Sequence, residues 1–229
     1  MFLGHFAVAF AAKKVAPKTS LGTLILGAQA VDLLWPIFLL LGIEKVRITP
    51  GITTVTPLDF YDYPITHSLL AAFVWAVVVG LCYYAFRPSR RETMTVGVVV
   101  FSHWILDFIT HRPDLPLGFG TEKYFGLGLW NSIAGTLLLE LAMFAAGMIL
   151  YLRSTQAKDK IGMYGFWALA AFLVVVYLAN VFGPPPPSET AIAIAGNAGW
   201  LFVLFGHWFD RHRIINAVSA VIPQTNSTT

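Results

Sequence analysis

Apolar residues run through this chain in long blocks separated by short polar stretches, without the one-faced alternation of a soluble helix or strand. Six blocks, roughly residues 21–43, 66–86, 93–111, 130–152, 161–182 and 190–209, each approach the ~20 residues that a membrane-spanning helix needs. A shorter block at 2–16 ends in Lys13, Lys14 and Pro17. At ~1.5 Å per residue it covers about 20 Å, less than a hydrocarbon core of ~30 Å, so it is expected either to lie in the interface or to enter the bilayer as a half-helix. Trp35-Pro36 is expected to kink the first long block. The predicted fold is all-α: a polytopic transmembrane bundle of about six spanning helices with a short N-terminal re-entrant or interfacial helix. Residues 1–229 form one integral-membrane domain, with the site-bearing part at about 1–150.

Composition agrees with this pattern. The chain is 57% hydrophobic and 12% charged, with mean hydropathy +0.69, whereas soluble domains carry about 25% charged residues. A soluble globular protein is excluded, and the lipid bilayer is the expected surrounding. The pI of about 9.0 does not imply a nucleic-acid partner, because the basic residues are scattered over short loops. Eleven of the 15 Lys and Arg residues fall on one side of a six-span arrangement: Lys13, Lys14, Lys18, Arg87, Arg90, Arg91, Arg153, Lys158, Lys160, Arg211 and Arg213. Both termini are therefore expected on the cytoplasmic side of an inner (plasma) membrane. The single Cys82 forms no intramolecular disulfide. FLGHFAVAFAA has no basic residue before it and two lysines after it, the wrong polarity for a signal peptide. The tail at about 214–229 is expected outside the bundle, its Asn226-Ser227-Thr228 sequon on the cytoplasmic side. The outer segments 44–65 and 112–129, long and rich in Thr/Pro or Gly, are expected to be lids, entrances or flexible connectors.

The chemistry gathers at SHWILDFITHRPDLP, Ser102 to Pro116. His103, Asp107 and His111 are four residues apart, so on a helix each step turns about 40° and rises about 6 Å, leaving all three on one face. An Asp at the centre of a spanning helix costs roughly 2.5–3.5 kcal/mol, so the row needs a physical reason. Depths at ~1.5 Å per residue bring Asp32, His103, Glu140 and, if the short helix dips inward, His5 to similar levels near mid-membrane. Asp107, His111 and His67 rise from there towards the outside. Each has a bland alternative: a hydrogen-bonded packing histidine for His5, a protonated interhelical carboxyl for Glu140, solvated interface residues for His67 and His111. His207 and His212, beside Asp210 and two arginines, read as surface residues outside the site. Imidazole and carboxylate donors together suit a divalent metal, zinc first and manganese or iron next. Glu140 and His111 are then candidate catalytic proton shuttles. The spacing HxxxDxxxH is less specific than HExxH.

Gly4-His5, Asp32, Thr66 to Leu70 (THSLL), Ser102 to Leu117 (SHWILDFITHRPDLPL), and GLGLWNS (Gly126 to Ser132) with Glu140 resemble the YdjM-like membrane-bound metal-dependent hydrolases of bacteria and archaea. The resemblance covers roughly residues 1–150. It implies His5, Asp32, His67, His103 and Asp107 as the metal set, and hydrolysis of an ester or phosphoester on a small-molecule or lipid-linked substrate. This chain departs from the family pattern in two places. Asp32 is followed by Leu33-Leu34-Trp35-Pro36 where members often carry Asp-x-Asp-His, and Asp62-Tyr63-Pro64 stands where they often carry His-Arg-Gly. Two other readings stay open on the residues alone. One is a proton- or ion-coupled transporter using the same row. The other is a polar network that only fixes helix packing.

Overall fold

The computed structural model describes residues 1–216. Its elements in chain order are α1 (Leu3–Val15), α2 (Leu21–Ala28), α3 (Ala30–Leu40), β1 (Lys45–Ile48), β2 (Leu58–Asp62), α4 (Pro64–His67), α5 (Leu69–Phe86) and α6 (Arg90–Thr110). They continue with β3 (Leu115–Pro116), β4 (Tyr124–Phe125), α7 (Ile133–Ser154), β5 (Thr155–Ala157), α8 (Lys160–Phe182), α9 (Glu189–Asn197), α10 (Gly199–Asp210) and β6 (Arg213–Ile215). The strands form three antiparallel pairs, β1–β2, β3–β4 and β5–β6, at the ends of the helices. Five helical runs are long and apolar enough to cross a membrane: α5, α6, α7, α8 and α9–α10 together. The bent pair α2–α3 makes a sixth if it counts as one span. Their outer faces expose Phe73, Leu81, Val98, Leu138, Val175 and Leu201, a surface suited to lipid rather than water.

The short helix α1 lies inside the bundle. None of its residues before Lys14 is exposed, so it does not rest on the surface as an interfacial helix would. It packs against α7, α2 and α6. The approach to α7 is backbone to backbone: a Cβ on Gly147 would stand 2.7 Å from Ala7 Cα and run into the Ala7 carbonyl oxygen. Phe10 then fills the space among Phe144, Tyr151 and Phe166.

Several expected boundaries are moved. The expected kink at Trp35-Pro36 is not where the first block bends. α2 and α3 meet at 57° around Gln29, and Pro36 stays inside α3. The second block is broken at Ser68, whose backbone is extended and whose hydroxyl accepts from Ala71 N–H. The third ends at Thr110, so His111 is an extended cap and no longer helical. Pro113 favours this stop by disfavouring the helical region at Arg112. The long outer segments carry the hairpins β1–β2 and β3–β4. Past β4, Leu127 N–H donates to Phe108 O at 2.7 Å and Gly128 N–H to His111 O at 2.6 Å, covering carbonyls at the end of α6. Gly126, at φ +157°, permits this, since a Cβ there would strike the Arg112 carbonyl. The sequon at Asn226-Ser227-Thr228 lies outside the described residues.

Candidate metal centre

The bend at Gln29 positions two members of the site. It ends α2, leaving the Ala28 carbonyl without a helical partner, and His103 Nδ1 takes it at 2.8 Å. It also starts α3, with Asp32 in its first turn, where a carboxylate is favoured by the helix dipole. The break at Ser68 leaves His67 at the end of the one-turn helix α4, turned towards Asp32. α1 carries His5 in from the opposite side, and α6 supplies His103 and Asp107 one turn apart.

These residues converge on Asp107. His5 Nε2 lies 3.1 Å from its Oδ1, His111 Nε2 3.9 Å from the same oxygen, His103 Nε2 3.0 Å from Oδ2 and His67 Nε2 3.8 Å from Oδ2. Asp32 Oδ1 stands 3.3 Å from His67 Nε2 and 3.5 Å from His103 Nε2. The Met1 amino group also donates to Asp107 Oδ1. Within this set, the donor atoms of His5, His103 and Asp107, and those of Asp32, His67 and His103, each fall within 4.8 Å of one another. Four of the side chains are almost wholly enclosed, while that of Asp32 is 36% exposed.

The outer hydrogen bonds assign the imidazole tautomers. Thr66 Oγ1 gives its one proton to Glu44 Oε2 at 2.6 Å, so it accepts from His67 Nδ1–H at 2.7 Å. His103 Nδ1–H donates to a carbonyl. His111 Nδ1–H donates to Asp114 Oδ1 at 2.9 Å. All three rings thus turn Nε2 towards the carboxylates, the arrangement by which metal-ligating histidines are oriented. His103 Nε2 is buried and faces the Asp107 and Asp32 carboxylates. A lone pair 3.0 Å from Asp107 Oδ2 repels it unless a proton or a metal ion lies between them. The donor set, imidazole nitrogens and carboxylate oxygens, fits zinc and also manganese or iron.

No protein-family profile, curated protein or solved structure matches the chain.

The structure gives Glu140 and His111 positions of their own. Glu140 Oε2 accepts from Phe2 N–H at 2.8 Å and Gly4 N–H at 3.3 Å, capping the start of α1 from across the bundle. His111 lies tilted against Trp130, ring centroids 4.1 Å apart, and shares Asp114 with Tyr63. Burial and the Asp114 carboxylate push the Tyr63 phenol well above its ordinary range, so it remains a donor. His207 and His212 are held elsewhere, by Ser20 and by Asp159.

Sequence reasoning missed Glu44, Thr66 and Asp114 as supports of the site. Asp114 had a usable signal in its i+3 spacing from His111, and Thr66 in its place beside His67. Glu44 had none, because its partners Ile65 and Thr66 are brought to it by the β1–β2 hairpin. A second buried polar group was also missed. Asp210 accepts from Lys13 Nζ at 2.7 Å, Leu21 N–H at 2.9 Å and Tyr151 O–H at 2.6 Å. It ties together α1, α2, α7 and α10.

Proposed function

We propose that the chain is a membrane-embedded, metal-dependent hydrolase of an ester or phosphoester, with a lipid-linked substrate favoured, in keeping with its resemblance to the YdjM-like family. The observation that carries this reading is the set of three imidazoles, each fixed through Nδ1, whose Nε2 atoms meet at Asp107 and Asp32. His67, His103, Asp32 and Asp107 would hold a divalent ion, zinc first. When bound, such an ion supplies Lewis-acid polarisation and lowers the pKa of water at an open position to about 7.

The chain's own residues have defined tasks in this reading. Asp32, the exposed member, faces the incoming substrate. Glu140 and the α1 backbone hold His5 against Asp107. In the overall reaction, water oxygen bonds to the ester carbon or phosphorus, the bond to the leaving oxygen breaks, and that oxygen takes a proton. His111, backed by Asp114 and Tyr63, is the group placed to handle that proton.

The asymmetry of Lys and Arg supports an inner-membrane protein with both termini cytoplasmic, and α1 is then a re-entrant helix entering from that side. The site would lie in the outer half of the bundle. Two observations weigh against the other readings. Phe6, Ala9 and Phe10, at most 1% exposed, separate the His/Asp centre from the Lys13–Asp210 pair, which counts against a carrier with a path through. The convergence of several imidazoles on two carboxylates counts against a purely structural network, in which membrane hydrogen bonds return only about 0.6 kcal/mol each.

The test is elemental analysis of the detergent-purified protein beside Asp107→Asn and His103→Ala. Tightly bound zinc, manganese or iron in the wild type and its loss from both folded variants is the expected result, followed by metal-dependent cleavage in a screen of phosphoester and lipid ester substrates. A wild type that takes up no metal even when supplemented overturns the reading.

A further inference from the structure

Glu44 supports Thr66, yet its charge has no partner. Only 1% of the residue is exposed. It accepts from Ile65 N–H at 2.7 Å, Thr66 N–H at 2.8 Å and Thr66 O–H at 2.6 Å, and all three donors are neutral. Among the described residues no Lys, Arg or His pairs with it, and its neighbour Lys45 reaches Asp62 instead, at 3.5 Å. Residues 217–229 contain no basic side chain. A carboxylate taken out of water is ordinarily paired with a cation, so the chain itself does not supply the countercharge of Glu44.

Glu44 lines a cavity of about 380 Å3 between the end of α3, the β1–β2 hairpin and the start of α9. The buried Val46 and Ala193 give it apolar wall, and the exposed Lys45, Glu189 and Thr190 give it polar groups. Leu40, Leu41 and Ile43 are exposed beside it at the end of α3, an apolar lip suited to lipid. Two carboxylates against one ammonium favour a ligand that carries a cation. Among the described residues, the groups able to hold a metal ion do not include Glu44. A quaternary ammonium seeks aromatic faces. The wall offers it Tyr61 alone, and the Arg47 guanidinium already covers that ring at 4.3 Å. A primary ammonium, with three N–H donors, suits carboxylate acceptors. Lys45 then suits an anion carried next to that ammonium.

We infer that this cavity holds the headgroup of an ethanolamine phospholipid. The ammonium enters to Glu44 with Glu189 beside it, the phosphate stays with Lys45, and the acyl chains leave over Leu40 and Leu41. Lipid binding here needs no metal ion, so it stands apart from the hydrolase reading.

The test uses the full chain, delipidated in a non-ionic detergent, with bound lipid counted by native mass spectrometry. Dioleoyl phosphatidylethanolamine should bind about tenfold more tightly than dioleoyl phosphatidylcholine, the difference that one charge-assisted hydrogen bond makes. Glu44→Gln should abolish that preference. Glu189→Gln and Lys45→Ala, both at exposed positions, should match the wild type in helicity and elution volume and bind phosphatidylethanolamine severalfold more weakly. If Glu44→Gln does not fold, these two variants decide. Equal affinity for the two lipids overturns the ammonium assignment. Unchanged phosphatidylethanolamine binding in both exposed variants overturns the site. Soluble glycerophosphoethanolamine binding as tightly as the lipid overturns the lipid as its source.

Discussion

Thr66 Oγ1 lies 2.7 Å from His67 Nδ1, and its only proton goes to Glu44 Oε2. A side chain next to His67 in sequence therefore decides which ring nitrogen faces Asp32 and Asp107. Thr66→Val removes the acceptor, and metal affinity should fall by about 10–100-fold, the usual cost of losing such a partner. Thr66→Ser should stay near wild type. Chelator competition measures both, and an unchanged affinity in Thr66→Val would show that the hydroxyl does not orient the ligand.

Glu140 separates a capping role from a proton-shuttling one. Glu140→Ala leaves the Phe2 and Gly4 N–H groups unpaired in a buried setting, at a cost of about 1–3 kcal/mol for each. Glu140→Gln keeps an acceptor oxygen and should lose much less thermal stability in detergent. If Glu140 also moves protons, Glu140→Gln will lose activity while keeping its metal and its melting temperature.

Contact between α1 and α7 sets where His5 sits. Gly147→Ala places a methyl group against the Ala7 backbone. Overpacking of this kind costs about 1–3 kcal/mol, and here it also pushes α1 away from Asp107. Thermal unfolding should show the destabilisation, and the metal content of the folded fraction should fall with it. Stability lost with full metal retention would mean that His5 is not needed for loading.

Lys13 and Asp210 form the opposite case. Both side chains are 6% exposed, and removing one partner of a buried pair typically costs about 3–5 kcal/mol. Lys13→Ala should therefore lower the melting temperature sharply. Metal bound per folded chain should not change, because the Phe6–Phe10 layer lies between the two clusters. A parallel loss of metal would show that they are coupled.

Helix content, the apolar blocks and the His103–Asp107 pair were readable from residue order, because each rests on local periodicity and burial of apolar surface. Depth along the helices placed His5, Asp32, His103 and Glu140 at one level with Asp107, His111 and His67 above them, whereas in the structure the four histidines and Asp32 meet at Asp107 and Glu140 caps α1. The breaks at Gln29 and Ser68 were not readable. Neither carries a proline or glycine at the break itself, and the proline that suggested a kink, Pro36, is accommodated within α3. Asp210 looked like a surface residue because its buried partners, the Lys13 ammonium and the Tyr151 hydroxyl, are far away in the chain.

Sequence by itself determined that this is a helical membrane bundle holding a row of ionisable residues in apolar helices, since hydropathy and spacing are properties of the chain order. Tertiary structure alone decided which nitrogen of each histidine faces Asp107, that α1 is enclosed by the other helices, and that Glu140 caps α1. Those outcomes depend on hydrogen bonds between atoms brought together only by folding: Glu44 to Thr66, Ala28 to His103 and Glu140 to Phe2. No periodicity along the chain encodes such pairings, because their energy is gained only when packing excludes competing partners.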